Sequence, residues 1–168
     1  MIYYQGYTVS FQEVPDEVSL VISIADCPHK CPGCHSPQLQ KPKGNDLEDD
    51  IDQIIDEYGD VITCVCFMGE GRDLDTLKAL IHYVHDLGYK TCLYTGSAIT
   101  SELIFPDILD YAKFGPYIQE CGGLDSPTTN QCMLYFQWRK MEWHKGVLYT
   151  FRLPKITDIT YKFQCKKT

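Results

Sequence analysis

Val18 to Ile24 is a nearly continuous apolar run, interrupted only by two serines and preceded by the turn-forming pair Pro15-Asp16. A run of this length suits a strand covered on both faces, the kind that builds a parallel sheet in an α/β protein. The carboxyl ends of such strands are where α/β folds place their chemistry. This strand passes directly into Ala25-Asp26-Cys27-Pro28-His29-Lys30-Cys31-Pro32-Gly33-Cys34-His35-Ser36-Pro37. Three thiols fall within eight residues, and the prolines and glycine among them keep the segment a loop, so that all three sulfurs can turn toward one object.

Ligand count narrows what that object is. Structural zinc normally takes four protein ligands in two separated pairs, whereas only one compact triplet is present. His29 or His35 could complete a zinc shell, although His35 directly follows Cys34 and has little freedom to meet the same ion. In a four-iron cubane, three thiolates hold three irons and leave the fourth open to a non-protein ligand, which makes a reactive centre.

A chain of 168 residues, 44% of them hydrophobic, can bury one good core, so residues 1–168 are read as a single domain. Nine cysteines would suggest disulfides in a secreted chain. The count is odd, however, and Met1 to Val14 has no basic start followed by an apolar run, so reduced thiols and a cytoplasmic location are expected. No stretch is apolar for long enough to span a bilayer. A net charge of −8 argues against a nucleic-acid partner, because phosphate binding needs clustered Lys and Arg.

Tyr3 to Val14 alternates as an edge strand. Asn45 or Asp46 can cap a helix with Leu47, Ile51, Ile54, Ile55 and Tyr58 on one face and Gly59 as its stop, its other face being acidic and solvated or docking a basic partner. Val61 to Phe67 reads as a second buried strand, with Cys64 and Cys66 in the core. Asp73 can cap a second helix ended by Gly88, on which His82 and His85 are surface or boundary residues. Tyr89 to Tyr94 is a third strand. Ser97 to Ala112 reads as helix interrupted by Pro106, and Met133 to Trp138, Val147 to Leu153 and Ile159 to Phe163 as late strands. There is no internal repeat and no low-complexity tract.

Cys27-x3-Cys31-x2-Cys34 is the cluster motif of the radical S-adenosylmethionine (SAM) enzymes, and the loop around it closely resembles that of the activating proteins of anaerobic ribonucleotide reductase. Four further segments follow in the family's order. Gly69-Glu70-Gly71 resembles the Gly-Gly-Glu element that holds the SAM amino group, with Met68 in place of the first glycine. Thr95-Gly96 resembles an aromatic-Thr-Gly strand end. Lys113-Phe114-Gly115-Pro116-Tyr117 and Ser126-Pro127-Thr128-Thr129-Asn130-Gln131 resemble an Asp-Gly-Pro-Phe-type turn and a Gly-Ser-Ser-Asn-Gln-Arg segment, with Cys132 where the arginine is expected. The likeness covers Val18 to about Met133.

The resemblance implies an α/β fold of the radical SAM type, an open partial (β/α) barrel with a mostly parallel sheet and helices outside, since a complete barrel needs about 250 residues. It implies a [4Fe–4S] cluster on Cys27, Cys31 and Cys34, and SAM contacts from Gly33, Cys34, His35, Gly69, Glu70 and Thr95. One electron from a donor such as reduced flavodoxin would cleave SAM to methionine and a 5′-deoxyadenosyl radical. That radical would take a hydrogen atom from a glycine of the large reductase subunit, whose glycine-bearing loop Ser126 to Gln131 either receives or, as a simple turn, does not. An activator of another glycyl-radical enzyme, of the pyruvate formate-lyase type, shares the chemistry. A small zinc-binding interaction module is the alternative outside enzymology.

Overall fold

Two aspartates start the helices. In the computed structural model, which describes residues 1–99, 108–137, 143–144, 147–148 and 155–164, α1 spans Leu47–Tyr58 and α2 spans Leu74–Asp86. The Asp46 carboxylate accepts from the Glu48 amide at 3.1 Å, and that of Asp73 from the Thr76 amide at 3.1 Å, each satisfying a donor the first helical turn cannot use internally. The acidic face of α1 is partly engaged within the molecule. Tyr4 donates to Asp50, Tyr7 to Glu57 and Tyr83 to Asp52, fastening the helix to the first strand and to α2.

The strands are β1 (Tyr3–Ser10), β2 (Ser19–Ile24), β3 (Asn45–Asp46), β4 (Cys64–Met68), β5 (Lys90–Tyr94), β6 (Tyr111–Phe114), β7 (Cys132–Gln137), β8 (Trp143–His144), β9 (Val147–Leu148) and β10 (Lys155–Asp158). Eight of them form one sheet in the order β10-β7-β6-β5-β4-β2-β1-β3, and β8 pairs with β9 separately. β2, β4, β5 and β6 run parallel, with Ile22, Phe67 and Leu93 side by side in register. β1 and β3 on one flank and β7 and β10 on the other are antiparallel.

This mixed open sheet overturns the expected partial barrel with helices outside. Only two α-helices occur among the described residues. A parallel crossover needs a dozen or more residues, usually helical, and among the described residues α1 and α2 fill the β2-to-β4 and β4-to-β5 connections. Between β6 and β7 the chain is rich in Gly, Pro, Ser and Thr, residues that favour turns, and β7 returns antiparallel to β6. The expected helix from Ser97 to Ala112 lies partly outside the described residues, but Tyr111 and Ala112 belong to β6. The expected late strand at Ile159 to Phe163 is a 3-10 turn over Thr160–Lys162, with β10 before it, while Trp138 and residues 149–153 lie outside the described residues.

Alternation along each central strand divides the core. Leu20, Ile22, Val65, Phe67, Leu93 and Phe114 pack with the apolar faces of α1 and α2. Val21, Cys64, Cys66, Cys92 and Tyr111 point to the other face, where they cluster with Met133 of β7 and with Val14 and Ile159. Cys64 and Cys66 are therefore core residues, both fully buried. No helix among the described residues is long and apolar enough to cross a membrane.

Glu17 ties the amino ends of the parallel strands together. Its buried carboxylate accepts from Lys90 Nζ, from Tyr111 at 2.9 Å and from Thr63 at 2.7 Å. Burial pushes the carboxyl up, but hydrogen bonds from Lys90, Thr63 and Tyr111 outweigh it and hold Glu17 below its ordinary value of 4.5. A lowered carboxyl stabilises the fold above its unfolded value and ceases to do so as pH falls through its folded one. Glu17→Gln is thus expected to lose about 1–3 kcal/mol in denaturant titrations near neutral pH, and to approach wild-type stability as the pH drops below 4.5. A difference independent of pH would mean that the charge of Glu17 does not matter.

Candidate functional site

The cysteine loop leaves β2 beneath a two-bond clamp. The Asp26 amide donates to the Lys41 carbonyl at 3.1 Å and that of Cys27 to Leu39 at 3.0 Å, while Arg72 Nε reaches the Asp26 carboxylate at 3.0 Å. Between these anchors the backbone coils through the left-handed region at Asp26 (φ 58°), Lys30 (φ 46°) and Gly33 (φ 71°). Cys27, Cys31 and Cys34 are free thiols, and all three line one cleft of about 760 Å³ at the carboxyl ends of the parallel strands. As the side chains stand, no group of three or more His, Cys, Asp or Glu among the described residues is close enough to hold an ion. The donor set nevertheless fits a metal–sulfur centre: three unbonded sulfurs, one cleft and a loop pinned at its base.

Three strand ends form the floor. The Gly69 amide donates to the Tyr94 carbonyl at 3.0 Å, that of Thr95 to Lys113 at 2.8 Å and that of Gly115 to Ser97 at 2.9 Å. Gly69 itself has φ 118°, and a side chain there would press on the Ile24 carbonyl at 3.0 Å, so the position requires glycine.

A polar cluster behind this floor was only half visible in the sequence. Glu70 is 6% exposed, and its Oε1 accepts from His29 Nε2 at 2.6 Å and from Ser97 Oγ at 3.0 Å, while Oε2 accepts from Thr95 Oγ1. Thr95 Oγ1 in turn accepts from the Ser97 amide at 2.9 Å. One of the four lone-pair positions of the carboxylate remains, on Oε2. His29 can reach Glu70 because residue 96 is glycine: a Cβ there would lie 2.5 Å from the imidazole. The cysteine loop is thereby fastened to the ends of β4 and β5 through a side chain that the sequence offered only as a possible zinc ligand. The signal was its place between two cysteines, facing the one strand end that reads Thr-Gly.

The remaining expected contacts are more scattered. His35 lies 5.0 Å, ring to ring, from Tyr117, and both border the cleft. Gly33 packs beside Gln119 and Tyr117. Asn130 Nδ2 donates to the Pro116 carbonyl at 2.9 Å, and Gln131 Nε2 to Gly115 at 3.3 Å, so these amides close a turn over the end of β6. Sequence reasoning missed Lys113, which lines the cleft. Burial pulls its ammonium down to about 8, opposed by the nearby thiols of Cys31, Cys132, Cys27 and Cys34. A lone lysine within the otherwise apolar or aromatic run Tyr111-Ala112-Lys113-Phe114 was the available signal.

Compared with protein-family models, curated proteins and solved structures, the chain matches none.

Proposed function

We propose that this protein is a radical SAM activase of the anaerobic ribonucleotide reductase type, working in the cytoplasm. The observation that carries the reading is the set of three unbonded thiols with the family's spacing, Cys27, Cys31 and Cys34, on one cleft at the carboxyl ends of parallel strands. The reading does not depend on a barrel. In it, the three cysteines hold a [4Fe–4S] cluster, and Gly33, Cys34, His35, Gly69, Glu70 and Thr95 surround SAM. When bound, the pair supplies one-electron cleavage of SAM and a 5′-deoxyadenosyl radical for a glycine of the reductase large subunit, with reduced flavodoxin or a similar protein as electron donor.

The chain's own residues bind and exclude. Ile24, Leu39, Met68 and Tyr94 give the cleft an apolar wall that keeps water from a reactive species. The free position on Glu70 Oε2 accepts from the SAM ammonium. Glu70→Ala is expected to raise the SAM dissociation constant about ten- to a hundredfold, corresponding to about 1.5–3 kcal/mol for a charge-assisted contact. An unchanged constant, measured anaerobically with the cluster intact, removes Glu70 from the pocket.

His29, bonded to Glu70, and His35, beside Tyr117, are both engaged elsewhere, which weighs against zinc. Anaerobic reconstitution decides. The expected product is brown, with a full four-iron complement and matching sulfide. A colourless protein holding zinc alone overturns the enzyme reading, and a glycyl radical raised on pyruvate formate-lyase but not on the reductase redirects it to the other activator class.

A further inference from the structure

Through Tyr89 this acidic chain has only five lysine and arginine side chains, Lys30, Lys41, Lys43, Arg72 and Lys78, and the first four stand on or beside the cysteine loop. Lys30 lies within the loop, directly before Cys31. The bonds from Asp26 to Lys41 and from Cys27 to Leu39 hold residues 39–41 against the base of the loop, and the Lys43 amide donates to the Lys41 carbonyl at 2.8 Å. Pro42 between the two lysines stiffens that turn. Lys30, Lys41 and Lys43 are exposed, and none of the three has an ion-pair partner among the described residues. Asp26, the carboxylate beside them, is already neutralised by Arg72 at 3.0 Å. A lone exposed lysine is merely solvated. Three unopposed ones around one loop make a local positive field on a protein of net charge −8. None of them borders the cleft, so a ligand held there has no use for them, and packing has none either. The remaining use is to meet an acidic surface that approaches the loop from outside.

We infer that Lys30, Lys41 and Lys43 form the docking surface for an acidic one-electron carrier protein, which reaches the thiol loop from its outer side. The inference rests on the function proposed above, which needs an electron delivered to the centre held by Cys27, Cys31 and Cys34, and adds the face of this chain that receives the donor. Charge complementarity selects the occupant. An acidic surface is repelled by the carboxylates that line α1 and attracted to the lysines of the loop, so the same charge that excludes it elsewhere orients it here. Position supplies the rest: Lys30 adjoins Cys31, and the Lys41 carbonyl is bonded to the residue before Cys27, so a carrier seated on these lysines is brought up to two of the three sulfurs. In the step the carrier is oxidised by one electron and the iron–sulfur centre reduced by one, and no bond forms or breaks.

A protein donor and a small reductant separate docking from other roles. Wild type, Lys41→Glu, Lys43→Glu, the double variant and Lys155→Glu are reconstituted anaerobically. Lys155 is exposed on β10, at the edge of the sheet remote from β2, so its reversal makes the same charge change far from the loop. Affinity for oxidised flavodoxin, the acidic carrier used as probe, is read by calorimetry. Reduction of the centre is timed with reduced flavodoxin and with photoreduced 5-deazariboflavin, an uncharged small molecule that needs no docking surface. At an ionic strength of about 0.01 M, the double variant is expected to bind flavodoxin about ten- to a hundredfold more weakly and to be reduced by it more slowly by a similar factor, the gap narrowing toward about 1 M salt. The deazaflavin rate should not change, and Lys155→Glu should behave as wild type. Equal slowing with both reductants means that the lysines tune the centre itself and overturns the docking surface. Equal weakening by Lys155→Glu traces the effect to net charge and overturns it too, as does an unchanged double variant, with the activase reading intact. A wild type that assembles no iron–sulfur centre overturns the activase reading, and a flavodoxin affinity indifferent to Lys41 and Lys43 then overturns the docking surface separately.

Discussion

Any one of Cys27→Ser, Cys31→Ser or Cys34→Ser is expected to abolish assembly of the iron–sulfur centre while the sheet and both helices still form. A hydroxyl does not replace a thiolate toward iron, and two remaining sulfurs cannot hold a cubane. The fold should survive because the loop contributes little to the core: all three cysteines are partly exposed, and neither buried cluster includes them. Iron and sulfide analysis after reconstitution measures the first effect, and circular dichroism of the apoprotein the second. A full four-iron complement in any of the three variants removes that residue from the ligand set. Cys64→Ser is the control, expected to leave iron content unchanged because its side chain lies in the core at the amino end of β4, at the opposite end of the strand from the cleft.

The largest stability effect should come from Phe67→Ala. Phe67 is fully buried at the centre of the parallel sheet, flanked in register by Ile22 and Leu93 and covered by the helices. Truncation removes most of an aromatic side chain from a site whose neighbours belong to three paired strands and cannot collapse inward. The expected cost is about 3–5 kcal/mol, a large share of the roughly 5–15 kcal/mol that holds a typical domain folded. Phe67→Leu, which keeps the site filled, should cost clearly less. Denaturant midpoints compare the three proteins. Equal midpoints for Phe67→Ala and wild type would mean that the helix-covered face is not the main core.

Local signals carried much of the fold. Asp46 and Asp73 announced both helices, and the apolar runs before Cys27, Met68 and Thr95 became three of the four parallel strands. Strand direction was not local. An apolar run reads the same whether its neighbour is parallel or antiparallel, so the reversals at β1 and β7 and the two-residue β3 left no trace, and a family likeness supplied a barrel instead. The same division holds at the site. The cysteine triplet was legible because its information is its spacing. The pairing of His29 with Glu70 spans 41 positions and exists only because two strand ends and Gly96 bring the partners together. Lys113 needed the same knowledge, since its meaning comes from its burial and the thiols around it.

β4 and β5 meet at Cys66 and Cys92, which are register partners, with Cys64 two residues behind. These thiols become inaccessible only after strands separated by α2 have paired and the sheet's second face has closed, a non-local event of the kind that slows folding. Until then a newly made or refolding chain presents all nine cysteines to oxidant at once. Once buried, Cys64 and Cys92 are pushed well above their ordinary value of 9.0, and with so little thiolate they stop reacting. The order of events thus sorts the sulfurs into two groups. Cys64, Cys66 and Cys92 are protected by folding itself, whereas Cys27, Cys31 and Cys34 on the loop stay partly exposed, so recovery of reduced protein is expected to depend on how well reductant is kept present through that interval.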